Sequence, residues 1–295
     1  MVYKSGFVSI MGSPNVGKST LMNTLVGQKI AIATQKAQTT RNKVTGILTR
    51  KDYQIIFLDT PGIHTPKNKL GEYMVKTAYE ANRDVDLTLL LLDAKMGIGQ
   101  RDREILEHLG KKRLIAVINK IDAVSAEKVE LMQKELLALQ LPAEQIKEIS
   151  AAQGTGIEAL EQEIVSYLIP GPQFYPEDMV TDRPERFIAA ELIREKALLN
   201  LREEVPHGIG VEIEKIEEFE DLTEVQALII CERDSHKGII IGKKGAMLKR
   251  IATEARLDLE RLFGTKVFLQ VFVKVKEDWR NSGHMLRELG YRKEE

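Results

Sequence analysis

One cysteine, one tryptophan and an aromatic content of 5% are all that this 295-residue chain carries of those residue types. The lone Cys231, inside the apolar run Val225 to Cys231, has no partner for an internal disulfide; it reads as a small core residue, and nothing argues for an oxidising compartment. His64, His108, His207, His236 and His284 are scattered without metal-ligand spacing and read as structural or surface residues. An excess of either charge is missing too. The 43 Lys and Arg face 44 Asp and Glu, which with 43% hydrophobic content describes a soluble globular chain, long enough for one large domain or two ordinary ones. No run is long enough to span a membrane: Leu87 to Leu92 is broken by Thr88 and falls far below the roughly 20 apolar residues required. The chain runs early into Gly6-Phe7-Val8-Ser9-Ile10-Met11, with no basic region, long apolar core or small-residue cleavage site, so no export signal is legible. The expectation is a cytoplasmic protein.

Proline is scarce except in one place. Four of the nine prolines fall between Pro170 and Pro184, a density that forbids regular helix and predicts a stiff, extended connection. The expected organisation is a first domain over 1–169, a linker over 170–184 and a second domain over 185–295. In the first domain, the β-type runs Phe7 to Met11, Gln54 to Leu58, Leu87 to Leu92, Leu114 to Ile118 and Ile146 to Ile149 alternate with helical patterns such as Leu21 to Val26, Arg101 to Leu109 and Lys128 to Leu139. That order predicts an α/β domain with a mostly parallel sheet between helices. Lys43 to Arg50 and Tyr53 to Leu58, joined by Lys51-Asp52, are spaced as a hairpin that adds one antiparallel edge strand.

The first strand ends in Gly12-Ser13-Pro14-Asn15-Val16-Gly17-Lys18-Ser19, followed by Thr20 and a helical pattern. This fits G-x-x-x-x-G-K-[ST], a P-loop whose backbone N–H groups converge on phosphate oxygens at a helix N-terminus. Lys18 is placed to bridge the β- and γ-phosphates and Ser19 to ligate magnesium. Asp59-Thr60-Pro61-Gly62 follows the strand Ile55 to Leu58. There Asp59 reads as holding Mg2+ through a water, with the Gly62 N–H near the γ-phosphate, or as an ordinary cap and turn. Asn119-Lys120-Ile121-Asp122 follows the strand Leu114 to Ile118. A carboxylate at Asp122 accepts from N1–H and N2–H of guanine, donors that adenine lacks, and a site built for such donors rejects analogues without them. The Lys120 stem is placed to cover the base plane, and Ser150-Ala151-Ala152 to offer a backbone N–H to guanine O6.

In this order and on these strand ends, the motifs resemble the translation-factor-like class of small GTPases, over residues 1 to about 168. The resemblance implies GTP and GDP as ligands and a first switch in Lys36-Ala37-Gln38-Thr39-Thr40-Arg41, with Thr40, or alternatively Thr39, closing on magnesium. It also implies a second switch from Gly62 to about Gly71. The position after Gly62, which is glutamine in the Ras-type pattern, is Ile63. A side chain that cannot orient water implies slow intrinsic turnover, of order 10⁻³ s⁻¹. Asn15 either satisfies loop backbone groups or, as the resemblance suggests, helps bind a potassium ion where other GTPases use an arginine finger.

Past the linker, Arg186 to Leu201 has helical spacing, Gly210 to Ile216 and Val225 to Cys231 read as strands, and a short helical stretch reaches Ile239-Ile240-Ile241. Gly242-Lys243-Lys244-Gly245, a helix over Met247 to Phe263 and a strand over Val267 to Val275 complete it. The order resembles a smaller α+β domain, the type II KH domain, whose G-x-x-G loop clamps about four nucleotides of single-stranded RNA. Lys237, Lys243, Lys244, Lys249 and Arg250 surround that loop without an acidic residue from His236 to Arg250, while Glu212 to Glu224 is acidic, so the footprint is a stripe.

A P-loop GTPase domain joined to this KH domain resembles the Era family of bacterial ribosome-assembly GTPases, over essentially the whole chain. Phe174-Tyr175-Pro176-Glu177-Asp178, Ile193-Arg194-Glu195-Lys196, Val273-Lys274-Val275 and Asp278-Trp279-Arg280 carry the likeness further. The resemblance implies a monomeric switch that binds the single-stranded 3′ end of 16S rRNA under nucleotide control and acts in small ribosomal subunit assembly, with a peripheral membrane fraction. The alternative is a nucleotide-sensing RNA-binding regulator, at the membrane surface or in cell-cycle control, whose turnover is not coupled to RNA. Gln270-Val271-Phe272 departs from the family, which has an acidic residue and a tryptophan there. Trp279 reads either as a base-stacking ring or as an exposed aromatic packed on the domain's end.

Overall fold

The computed structural model describes residues 2–34, 36, 38–109 and 113–291. Two units divide the chain: Met1–Ala33, Thr40–Thr65 and Met74–Asp182 form the first, and Thr34–Thr39, Pro66–Tyr73 and Arg183–Glu295 form the second. The apolar runs of the first half become strands and the periodic segments helices. In chain order they are β1 (Lys4–Gly12), α1 (Lys18–Val26), β2 (Val44–Thr49), β3 (Tyr53–Asp59), α2 (Lys69–Glu80), β4 (Leu87–Asp93), α3 (Gln100–Leu109), β5 (Leu114–Asn119), α4 (Ala126–Ala138), β6 (Ile146–Glu148), α5 (Ile157–Tyr167) and β7 (Ile169–Pro170).

Strand order in the first unit is β2-β3-β1-β4-β5-β6, with β7 added antiparallel to β1. The β1, β3, β4, β5 and β6 strands are mutually parallel, and β2 is the antiparallel edge. Burial on both faces explains why these strands are continuous apolar runs: every residue of β4 is buried. Parallel direction also brings the carboxyl ends to one rim, where Asp59 is in register with Ile10 and Asp93 with Asn119.

The proline-rich stretch contains no helix, but it is not uniformly extended, since Met179 N donates to Pro176 O at 3.1 Å in a turn, and it does not hang free of the first unit. Buried Gln54 accepts from Phe174 N at 2.8 Å and Tyr175 N at 3.0 Å, and its amide donates to Tyr175 O at 2.9 Å. Val180 O accepts from Ile47 N at 2.8 Å, and the Phe174 ring lies 5.2 Å from that of Phe7.

The second unit continues with α6 (Glu185–Asn200), β8 (Gly210–Glu218), β9 (Leu222–Cys231), α7 (Asp234–Ile241), α8 (Ala246–Phe263), β10 (Lys266–Val275) and α9 (Gly283–Glu288). Its sheet has the order β10-β9-β8, with β10 parallel and β8 antiparallel to β9. Val225, Ala227 and Ile229 alternate on the buried face, where Leu192 and Ile193 of α6 and Ile251, Ala255 and Leu259 of α8 complete the core. Trp279 corrects both expectations for it, because the ring is buried. Its Nε1 donates to Gly208 O at 2.9 Å, and its ring stacks on Tyr291 at 6.1 Å. An indole with its N–H satisfied inside the core is a packing residue. Among the described residues, no helix is long and apolar enough to cross a membrane.

Candidate functional site

The phosphate loop closes around glycines that no other residue replaces. Gly12 has φ 144° and Gly17 φ 104°; a Cβ on Gly12 would lie 2.5 Å from Leu91 O, and one on Gly17 2.4 Å from Asn119 Nδ2. Asn15 also has positive φ, 66°, a conformation asparagine tolerates. Lys18 opens α1 and is buried, with Nζ donating to Gly12 O at 3.1 Å and Ser13 O at 3.0 Å. Burial lowers its pKa to about 8, against the upward pull of Asp59 and Asp102. An ammonium so placed gains from an anion entering the loop. Thr20 follows in the first turn, half-buried, with its carbonyl accepting from Thr24 Oγ1 at 2.9 Å. Asp102, which sequence reasoning missed, fixes the loop from α3: its oxygens accept from Ser13 Oγ at 2.6 Å and Gly99 N at 3.0 Å.

Three oxygen-bearing side chains meet beside Lys18. Ser19 Oγ donates to Asp59 Oδ2 at 2.6 Å and lies 2.8 Å from Thr40 Oγ1, which is 3.4 Å from the same carboxylate oxygen. Asp59 is fully buried, and burial raises its pKa to about 6, opposed by the Ser19 hydrogen bond and the Lys18 charge. Among the described residues, its Oδ1 has no hydrogen-bond partner. A buried, unsatisfied carboxylate oxygen beside two hydroxyls suits a hard divalent cation such as Mg2+, which binds through few carboxylates and keeps waters.

Thr39, the competing candidate, faces elsewhere. Its hydroxyl donates to Lys36 O at 2.7 Å and sits 2.7 Å from Thr34 Oγ1. Within the second unit, its carbonyl accepts from the buried Arg194 guanidinium, which also pairs with Glu191 at 2.6 Å. Ala37 of the expected first switch lies outside the described residues.

After β3, Thr60 Oγ1 donates to Ile10 O at 2.8 Å, Pro61 is buried, and a Cβ on Gly62 would meet Pro14 Cα at 2.8 Å. Ile63 is only 7% exposed and packs in the apolar cluster of Met11, Leu90 and Ile118. A core side chain at this position has no means of orienting a water.

Asn119 staples two loops. Its Nδ2 donates to Val16 O at 2.8 Å while its Oδ1 accepts from Ala151 N at 3.0 Å. Lys120, at φ 66°, sends Nζ to Asn15 O at 2.7 Å and to Asp93 Oδ2 at 2.6 Å. Asp93 was also not anticipated, although its place after the run Leu89 to Leu92 repeats the strand-end pattern of Asp59. Ser150 is buried and donates its N–H to Thr155 O at 3.0 Å; Asp122 and Ala152 are the base-site candidates left exposed.

In the second unit, Gly242 (φ 71°), Lys244 (φ 52°) and Gly245 (φ 79°) form a sharp turn between α7 and α8. A Cβ on Gly242 would lie 2.7 Å from Met247 Cβ. Lys243, Lys244, Lys249 and Arg250 are exposed and Lys237 is half-buried, so the cations present themselves around a backbone that a nucleic-acid chain can approach closely.

Two family models match the chain: one described as 50S ribosome-binding GTPase over residues 7–120, the other as KH domain over residues 204–280. GTPase Era of Ruminiclostridium cellulolyticum is 52% identical over 295 residues, covering 99% of each chain, and that of Caldanaerobacter subterraneus is 50% identical over the same share. The chain belongs to the Era family of GTPases. Among solved structures, a point variant of Aquifex aeolicus Era bound to GDP·AlF4− aligns with TM-score 0.93 at 43% identity, covering 98% of this chain and 99% of that one. An Era complex with MgGDPNP and nucleotides 1506–1542 of 16S ribosomal RNA aligns with TM-score 0.94 at 42% identity and the same coverage. The fold of the Era family, a P-loop GTPase domain followed by a KH domain, is therefore the fold of this chain.

Proposed function

We propose that this Era-family GTPase is a molecular switch that binds the 3′ end of 16S rRNA through its KH loop under control of bound nucleotide, and acts in small ribosomal subunit assembly. The observation that carries this reading is the end-to-end likeness to the Era complex holding both MgGDPNP and 16S nucleotides. The likeness to 50S ribosome-binding GTPases weighs less, because it stops at residue 120 and excludes the KH unit.

In the nucleotide site, the Gly12 to Ser19 backbone and Lys18 hold the phosphates, with Val16, Thr20 and Gly62 supporting. Ser19, Thr40 and Asp59 are the groups that would hold Mg2+, which when bound would supply positive charge to the phosphates of the nucleotide. Asp122 selects guanine by accepting its two donors, Lys120 lies beside the base, Ala152 offers the N–H for O6, and Asn119 keeps the two loops in register. Thr40, Thr60, Pro61 and Gly62 report the γ-phosphate, with Thr39 moving as Thr40's neighbour and Ile63 anchoring the segment. Lys237, Gly242 to Gly245, Lys249 and Arg250 bind RNA. Potassium near Asn15 is supported by the resemblance alone, and equal turnover in potassium and sodium removes it.

The domain limits are 1–169 and 185–295 with a junction inside 170–184, a reading supported by the division of the two units after Asp182. The protein is cytoplasmic and monomeric; a peripheral membrane fraction rests on the resemblance and is tested by vesicle co-sedimentation. The test of the whole reading is GTP turnover with and without a single-stranded RNA copying the 16S 3′ end. Stimulated turnover together with salt-dependent binding supports it, and absence of RNA binding sinks it.

A further inference from the structure

In the phosphate loop the backbone carbonyls are engaged one after another. Gly12 O and Ser13 O accept from Lys18 Nζ, Asn15 O from Lys120 Nζ at 2.7 Å, Val16 O from Asn119 Nδ2 at 2.8 Å, and Gly17 O from Leu21 N at 2.9 Å. Pro14 stands between these two sets and has no N–H to donate. Its place therefore depends on its neighbour, and Ser13 is tied from outside the loop, its Oγ donating to Asp102 Oδ1 at 2.6 Å. Pro14 in turn fills the space beside the start of the second switch: a Cβ on Gly62 would lie 2.8 Å from Pro14 Cα and 3.0 Å from Pro14 N.

A helix cap alone does not account for Asp102. Gly99 precedes α3, and Asp102 stands three residues on, where a carboxylate reaches back to that N–H; Gly99 N donates to Oδ2 at 3.0 Å. The cap uses one oxygen. The other makes the 2.6 Å bond to Ser13, a length expected of a hydroxyl donating to an ionised carboxylate. Asp102 is only 9% exposed, and one turn further on Ile105 and Leu106 pack in the apolar cluster of Met11 and Ile63, so the helix that carries it is anchored in the core. Resting on the reading of Gly62 as a reporter of the γ-phosphate, we propose that Asp102 is a positioning residue for the triphosphate state. Through Ser13 it holds Pro14 against the Gly62 backbone, so that the second switch meets the γ-phosphate, and it thereby sets the affinity for GTP relative to GDP. The contacts that serve the base and the inner phosphates pass through Lys18, Asn119 and Lys120 and do not require it.

The test is calorimetric titration of the intact protein with MgGDPNP and with MgGDP. Asp102→Ala should weaken GDPNP about tenfold, the low end for a hydrogen bond to a charged group, and GDP by about threefold at most. Ser13→Ala should produce the same shift in the ratio of the two affinities, and the double variant no more than either alone, because both remove one bond. Asp102→Asn should restore most of the ratio, since its amide accepts from Gly99 N and donates to the Ser13 hydroxyl oxygen. A role confined to capping predicts equal losses for the two nucleotides in Asp102→Ala and no change in Ser13→Ala, and either result overturns the proposal. Ser13→Ala leaves the cap intact, so it decides the question even if Asp102→Ala fails to fold. Failure of the underlying reading looks different. Gly62→Ala drives a Cβ against Pro14 and should itself weaken GDPNP selectively; an unaltered ratio in that variant removes the γ-phosphate role of Gly62, and the role of Asp102 falls with it.

Discussion

Asn119→Ala is the substitution whose cost can be worked most directly from the geometry. The Asn119 amide bonds Val16 O at 2.8 Å and Ala151 N at 3.0 Å, and Asn119, Val16 and Ala151 are all buried. Alanine leaves a carbonyl and an N–H without partners. A buried unsatisfied polar group costs about 1–3 kcal/mol, so the pair costs about 2–6 kcal/mol, the lower half applying if a water enters the vacated space. Part of that cost returns as lost nucleotide affinity, because the phosphate loop and the Ser150 to Ala152 loop are no longer held together. A share of about 2 kcal/mol corresponds to roughly 30-fold weaker binding. Calorimetric titration with GDP measures the affinity, and urea unfolding followed by circular dichroism measures the stability. The only tryptophan, Trp279, belongs to the second unit, so its fluorescence monitors a unit that the substitution does not touch. Asn119→Asp is the companion variant: it keeps an acceptor for Ala151 but turns a carboxylate oxygen on Val16 O, and should be at least as damaging. Unchanged GDP affinity with a stability loss below about 1 kcal/mol would refute the staple.

Asp122→Asn should weaken GTP binding and improve xanthosine triphosphate binding, since an amide donates where the carboxylate only accepts; retained guanine preference in competition binding removes Asp122 from the base site. Gly17→Ala forces a side chain to φ 104° and to 2.4 Å from Asn119 Nδ2, so nucleotide binding should fall below detection by titration; ordinary affinity would mean that the loop is not held as described. Burial and the hydrogen bond to Glu161 push the Tyr53 phenol up to about 12. Its stabilising contribution should be complete below pH ~10 and lost as pH rises toward 12, so Tyr53→Phe should flatten the alkaline arm of the thermal-melting profile. An unaltered alkaline arm would show that Tyr53 is not its source.

Strand positions and the phosphate loop were legible because they depend on local pattern: continuous apolar runs for strands buried on both faces, and glycines where the backbone must adopt positive φ. The order of elements in the second unit was legible for the same reason. What sequence did not reveal were contacts between distant residues. Neither the anchoring of Phe174 and Tyr175 on Gln54 nor the bond from Asp102 to Ser13 leaves a local signal. The choice between Thr39 and Thr40 needed side-chain direction, which adjacent residues in an irregular loop do not encode. Trp279 was misjudged because its position near the chain's end suggests exposure, whereas Gly208 and Tyr291 enclose it.

The central claim is that nucleotide state controls RNA binding. It is tested most directly by measuring the affinity of the full-length protein for an RNA copying nucleotides 1506–1542 of 16S rRNA, in saturating MgGDPNP and in saturating MgGDP. A coupling free energy between sites is commonly about 1–3 kcal/mol, so the account predicts affinity about 5- to 150-fold higher with MgGDPNP. Equal affinity in the two states would contradict it, leaving a GTPase and an RNA-binding module that share a chain without sharing a switch.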